Sequence, residues 1–235
     1  MWMLLLAAAA SAAPSLSERL AEIEPLRAQR ISPDVPAIPA SAYESAGEGV
    51  ETGLQAVEGE RARKAWGVTI IDVPIAQYWA AINDDASKTD YTALEHIAIL
   101  DGAYCAPLRT VFQYLPVSWV SDRWWVARIT ANTDLMEASE GRVREMRWES
   151  IDADLAAHPE AQTWAEKGIS TAFTKGAWLL VDLDGERTLV EYYAWTDPGG
   201  RVPAGMASRF AAGGIEDTLE AMGRLAATGP ACPLE

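Results

Sequence analysis

Between Gly49 and Trp195 the chain alternates apolar and polar residues with period two in one short segment after another, and a single long amphipathic helix closes the run. Segments 50–57 and 62–73 read as strands around a turn at Glu58-Gly59-Glu60. Pro74 then stands at the first position of a helix carried by Ile75, Tyr78, Trp79 and Ile82 and stopped by Asn83-Asp84-Asp85. Further strands are predicted over 93–100, 108–115, 123–131, 142–150, 169–175, 177–183 and 188–195, with a hairpin at Asp184-Gly185 between the last two. After Pro203, the residues Met206, Phe210, Ile215, Leu219, Met222 and Leu225 recur at helical spacing as far as Ala226. No repeat with a period of about 20 to 50 residues interrupts this order. Many antiparallel strands, a short helix after the second and a long one at the end define an α+β fold.

The residues before Gly49 are of a different kind. Met1 to Ala13 is an uncharged apolar run ending in small residues, with the A-x-A-like pattern of a signal-peptide cleavage site. As a helix it reaches about 20 Å, short of a hydrocarbon core of about 30 Å, so export is expected rather than stable membrane insertion. Residues 14–46 read as a helix and a tether: Ser15 and Glu18 have capping-box spacing, Leu16, Leu20, Ile23 and Leu26 follow, and Pro33, Pro36 and Pro39 mark an extended linker. The main domain is expected to span 47–228, with 229–235 as a tail. Cys105 and Cys232 have neither zinc nor C-x-x-C spacing; they either close one long disulfide or remain free thiols.

With 34 acidic against 19 basic side chains, the net charge of −15 argues against nucleic acid or an anionic bilayer as the main partner. Ten Trp against three Phe is the compositional oddity, and such rings need a core, a cavity or an interface. Motifs for chemistry are scarce. His96 lies in an apolar segment and His158 beside Pro159, neither in a triad pattern. Asp182-Leu183-Asp184-Gly185 lacks the later ligands of a calcium loop, and no Walker A, GxGxxG or HExxH motif occurs, so no cofactor or metal is expected.

Three stretches carry a resemblance: Ile71 to Trp79, Ser121 to Val126, and Thr196 to Gly200 with Pro203, within the longer run Gly176 to Pro203. In this order the chain resembles the START-related, helix-grip lipid-binding domains of the SRPBCC/Bet v 1-like superfamily, in their bacterial form. The resemblance implies a curved antiparallel sheet wrapped around the long C-terminal helix, with an internal apolar cavity for a hydrophobic small molecule or lipid. Strand alternation then nominates a lining. On segment 123–131 it selects Trp125, Ala127 and Ile129; on 142–150, Met146 and Trp148; on 188–195, Val190, Tyr192 and Ala194; and on 108–115, Phe112 and Tyr114 over Gln113. Met206 and Phe210 would close the top from the helix. Gly199 and Gly200 suit a chain reversal braced by Asp197, while Gly213 and Gly214 inside the helix suggest a close approach or a hinge. Ile129 stands where sterol-binding relatives place an arginine, which favours a uniformly apolar ligand.

The expected activity is therefore binding, and transport, of a hydrophobic molecule in the periplasm or outside the cell, with only brief membrane contact. Two alternatives stand beside it. One is a polyketide cyclase/dehydratase-like enzyme using Tyr192 or Tyr114 in the same cavity; the other is a protein-interaction domain without ligand.

Overall fold

The capping-box spacing at the start of the chain forms as expected: Glu18 accepts the backbone N–H of Ser15 at 2.8 Å, and the Ser15 hydroxyl accepts that of Glu18. The computed structural model describes residues 15–118, 120–200, 202 and 204–234, the last stretch with side chains from Gly214 onward. The expected signal segment 1–13 lies outside the described residues. From Ser15 the order is α1 (Leu16–Arg27), α2 (Ala40–Ser45), β1 (Glu51–Gln55), β2 (Lys64–Ile71), α3 (Ile75–Asn83), α4 (Lys88–Tyr91), β3 (His96–Gly102), β4 (Leu108–Leu115) and β5 (Arg123–Ala131). There follow α5 (Thr133–Ala138), β6 (Val143–Ser150), α6 (Pro159–Ala165), β7 (Ile169–Ser170), β8 (Phe173–Asp182), β9 (Thr188–Asp197) and α7 (Ala204–Thr228).

The strands form one curved sheet in the order β1-β2-β9-β8-β6-β5-β4-β3, antiparallel throughout except that β7 adds to β5 in parallel. This is the expected α+β helix-grip architecture. Near Gly176 the expected boundary is absent: instead of two strands meeting there, β8 runs unbroken through it. The glycine is needed for packing rather than for a turn. A Cβ there would sit 2.1 Å from the Tyr193 carbonyl oxygen and 2.3 Å from the Trp148 ring.

The concave face is covered by α7 and α3. Two glycines let α7 approach: a Cβ on Gly67 of β2 would lie 2.5 Å from Ile215, and one on Gly223 of α7 would lie 2.3 Å from Ile71. The expected close approach at Gly213-Gly214 is corrected in part, because helix α7 passes through both residues and the space beside Gly214 is open.

The convex face is covered as well. The segment 14–46, read as a helix and tether, is packed over its described residues: Ile23, Ala42, Tyr43 and Ala46 form one buried cluster with Leu179, Val181, Leu189 and Tyr193. Under this strap, Glu145, Leu179 and Glu191 stand in one row across β6, β8 and β9. Arg30 bridges the two carboxylates, at 3.2 Å to Glu145 and 3.1 Å to Glu191. Glu145 also accepts the N–H of Ile31 at 2.7 Å and the amide of Asn132 at 2.9 Å, while Arg27 and the Tyr43 hydroxyl reach Glu191 at 2.7 and 3.0 Å. Burial, with Glu191 beside it, pushes Tyr43 up to about 12. The prolines hold the strap extended, and these ion pairs hold it to the sheet.

Candidate ligand chamber

Side chains of directly paired residues share one face of an antiparallel sheet. One such row runs Ala65, Ala194, Gly176, Trp148, Ile129 and Arg109 across β2, β9, β8, β6, β5 and β4. Its first three members are small, which leaves a hollow under α7 into which the Trp148 ring leans. The next row places Gly67, Tyr192, Trp178 and Met146 side by side.

The accessibility of these residues is inverted. On β9 the convex-facing Leu189, Glu191 and Tyr193 are 0%, 2% and 4% exposed, whereas Tyr192 and Ala194, on the concave face beneath the helix, are partly accessible. Trp125 and Trp148 are partly accessible in the same way. Protein interiors are otherwise close-packed, so accessible surface on the inner face of central strands marks a candidate wall for a ligand. It lies toward the end of the sheet where β9 leaves for α7 and β5 enters. At the other end Val190, Leu180, Met222 and Leu225 pack as solid core.

Of the residues nominated from the sequence, Trp125, Ala127, Ile129, Met146, Trp148, Val190, Tyr192 and Ala194 are brought together in this concave cluster. Phe112 and Tyr114 are not, and their expected inward orientation is corrected. They belong to a convex cluster with Val126 and Ala161, covered by Trp164 and Ala165 of α6, and Val111 takes the concave position on β4. The side chains of Met206 and Phe210 lie outside the described residues.

Aromatic rings form a wall across the chamber. Trp148 stacks on Tyr192 at 5.6 Å, Tyr192 on Trp178 at 4.0 Å, and Trp178 meets Tyr78 of α3 at 6.1 Å in a tilted contact. Burial pushes the hydroxyls of Tyr192 and Tyr78 well above the ordinary tyrosine range. Gln113 adds one polar contact, accepting the Trp125 indole N–H at 2.8 Å.

The charged groups near this face are closed on one another. Arg109, 1% exposed, donates to Asp85 at 2.5 Å, to the Asn83 side chain at 3.0 Å and to the Ala106 carbonyl at 2.8 Å, and Lys88 reaches Asp85 at 2.6 Å. Burial works to raise Asp85, but Lys88 and Arg109 outweigh it and hold the carboxyl below its usual range. His96 lies on the convex side, stacked on Trp164 at 4.8 Å and shifted down by burial, and His158 precedes α6. Neither histidine belongs to the concave cluster. Among the described residues there is no group of His, Cys, Asp and Glu that could hold a metal ion. A separate open cleft of about 360 Å³ on the sheet's outer side is lined by Glu60, Glu149, Phe173, Lys175 and Trp195.

The chain is held at Pro198 and Gly199 before α7 and at Cys232 after it. Gly199 and Gly200 take φ of 67° and 65°, and the Asp197 carboxylate accepts the Gly199 N–H at 2.8 Å, as the sequence suggested. Arg123 was not nominated, although it lies inside the resembling stretch. Its guanidinium, 4% exposed in this residue, donates to the Pro198 carbonyl at 2.5 Å and the Gly199 carbonyl at 3.4 Å, and so clamps the loop into α7. At the far end Cys105 and Cys232 form a disulfide, which settles the alternative left open above.

No family model and no curated protein matches the chain. Solved structures do. A STAR-related lipid transfer protein from Xanthomonas axonopodis (fragment 25–204) is similar at a TM-score of 0.63 and 19% identity, over 77% of this chain and 95% of that one. Human StAR-related lipid transfer protein 5 is similar at a TM-score of 0.65 and 13% identity, over 91% and 95%. A START superfamily protein from Mycobacterium smegmatis is similar at 0.52 and 8%, over 70% and 97%. The fold is that of the START domains.

Proposed function

We propose that this chain binds a hydrophobic small molecule or lipid between the concave face and α7, and carries it through an aqueous compartment outside the cytoplasm. The observation that carries the reading is the inverted accessibility of β9: Tyr192 and Ala194 beneath the helix are reachable while Leu189, Glu191 and Tyr193 on the strap side are sealed. The names of the similar lipid transfer proteins point the same way. Carriage rather than catalysis is favoured because Asp85, Lys88 and Arg109 are already engaged with each other. A ligand covering about 300 Å² of apolar wall gains roughly 7 kcal/mol from transfer before association costs. The leader-like Met1 to Ala13 and the disulfide support an oxidising compartment. Among the described residues no helix is long and apolar enough to cross a membrane. Exchange proceeds through the Arg123-held loop, with Gly199, Gly200, Gly213 and Gly214 as its hinges, since the disulfide retains the other end of α7.

Ala194 tests the chamber. It stands between Ala65 and Gly176 in the small-residue row, so Ala194→Leu fills the hollow without cutting a hydrogen bond. Titration with 1-ethylpyrene, followed by quenching of tryptophan emission, is expected to show at least about tenfold weaker binding in the variant, with the fold retained. Equal affinity in both proteins would contradict the location.

A further inference from the structure

Gln113 carries more than a wall contact. The register aligns Ile97, Gln113 and Trp125 across β3, β4 and β5, and Trp125 packs against the concave cluster, so the Gln113 side chain is on the chamber's face of the sheet. An indole nitrogen only donates, so the atom that accepts it at 2.8 Å is the amide oxygen of Gln113, and this fixes which way the amide is turned. The amide nitrogen, with two N–H groups, is left without a hydrogen bond among the described residues. Gln113 is itself partly accessible, as the other wall residues are. A pinned amide with free donors on the chamber's face has the form of a recognition point, because a ligand that displaces water from it leaves those donors unmade unless the ligand itself supplies an acceptor.

We propose that Gln113, held by Trp125, donates to a hydrogen-bond acceptor on the bound molecule. The ligand class that follows is a neutral molecule with an apolar, ring-compatible body and a carbonyl, ester, ether or hydroxyl oxygen near one end. A phosphate or carboxylate headgroup fits less well, because the nearby cations Arg109 and Lys88 are closed on Asp85. This inference rests on the chamber reading and adds polarity and orientation to it.

Two probes of nearly the same shape separate the claims: 1-acetylpyrene, which carries a carbonyl, and 1-ethylpyrene, which does not. The wild-type protein is expected to bind the acetyl probe about fivefold more tightly, the size of effect one neutral hydrogen bond supplies. In Gln113→Leu that preference falls to within about twofold while ethylpyrene still binds. Gln113→Glu is the second variant; it keeps an acceptor for Trp125 but presents a carboxylate without donors, and it also loses the preference. Equal binding of the two probes by the wild type, or an undiminished preference in both variants, overturns the role of Gln113 and leaves the chamber standing. Failure of the wild type to bind either probe overturns the chamber reading, and the role of Gln113 with it.

Discussion

Replacing Arg30 by methionine is expected to lower stability by about 3 kcal/mol, read as a shift of the urea midpoint at unchanged slope. Its side chain is 8% exposed and lies between Glu145, fully buried, and Glu191, nearly so. Removing the guanidinium leaves two carboxylates on one buried row with part of their compensation gone, and an uncompensated buried charge is among the costliest single changes a fold can suffer. Ile31, Ser32 and Asn132 still donate to Glu145, and Arg27 and Tyr43 still reach Glu191, which keeps the loss at the lower end of that range. The control is Arg224→Met, whose side chain and whose partner Glu220 are both more than half exposed and whose loss should cost under about 1 kcal/mol. If Arg30→Met behaved like Arg224→Met, residues 14–46 would be a tether after all, and the second, convex core would not be a part of the fold.

Opening the Cys105–Cys232 disulfide is expected to cost more still. The bridge spans 127 residues, and closing a loop of that length restricts the unfolded chain by about 4 to 5 kcal/mol in the chain-entropy account. For a domain of this size that is a fall of about 10 to 15 °C in Tm on reduction or in Cys232→Ser. The folded state has its own interest in the bridge. Beside it the Ala231 N–H donates to Asp84 at 2.7 Å, the Tyr104 hydroxyl donates to the same carboxylate, and Tyr91 meets Thr228 at 2.8 Å, so the tail and the end of α7 are held against α3 and α4. A melting temperature unmoved by reductant would contradict this anchoring.

Period-two alternation read the inner faces of β5, β6 and β9 correctly because, along the middle of each strand, one phase is apolar while the other carries a charge: Arg128, Glu145 with Arg147, and Glu191; Arg123 and Arg144 fall in the inward phase only where β5 and β6 begin. On β4 the same rule failed. Both faces of that strand are covered, so Phe112 and Tyr114, the more apolar phase, pack outward under α6, while the inward phase carries Arg109, Val111 and Gln113. Pro159 at the first turn of α6 was the available signal that a helix would cover that side. The strap was hidden for a different reason. Arg30 finds its partners 115 and 161 residues away, and no local pattern of prolines or charges encodes such pairings. The disulfide was open in the same sense, since spacing along the chain says nothing of a Cα separation of 5.7 Å. Arg123 escaped notice because its partners are backbone carbonyls, which carry no residue identity.

The central claim is that the space beneath α7 is made to hold a hydrophobic molecule. Native mass spectrometry of the protein purified from its own host, compared with the same sample after denaturation, tests it most directly. The account predicts a discrete added mass that is released on unfolding, extracts into organic solvent as a neutral apolar compound, and is depleted in Ala194→Leu. A native mass equal to that of the polypeptide alone, together with no uptake of 1-ethylpyrene by the same sample, would contradict it.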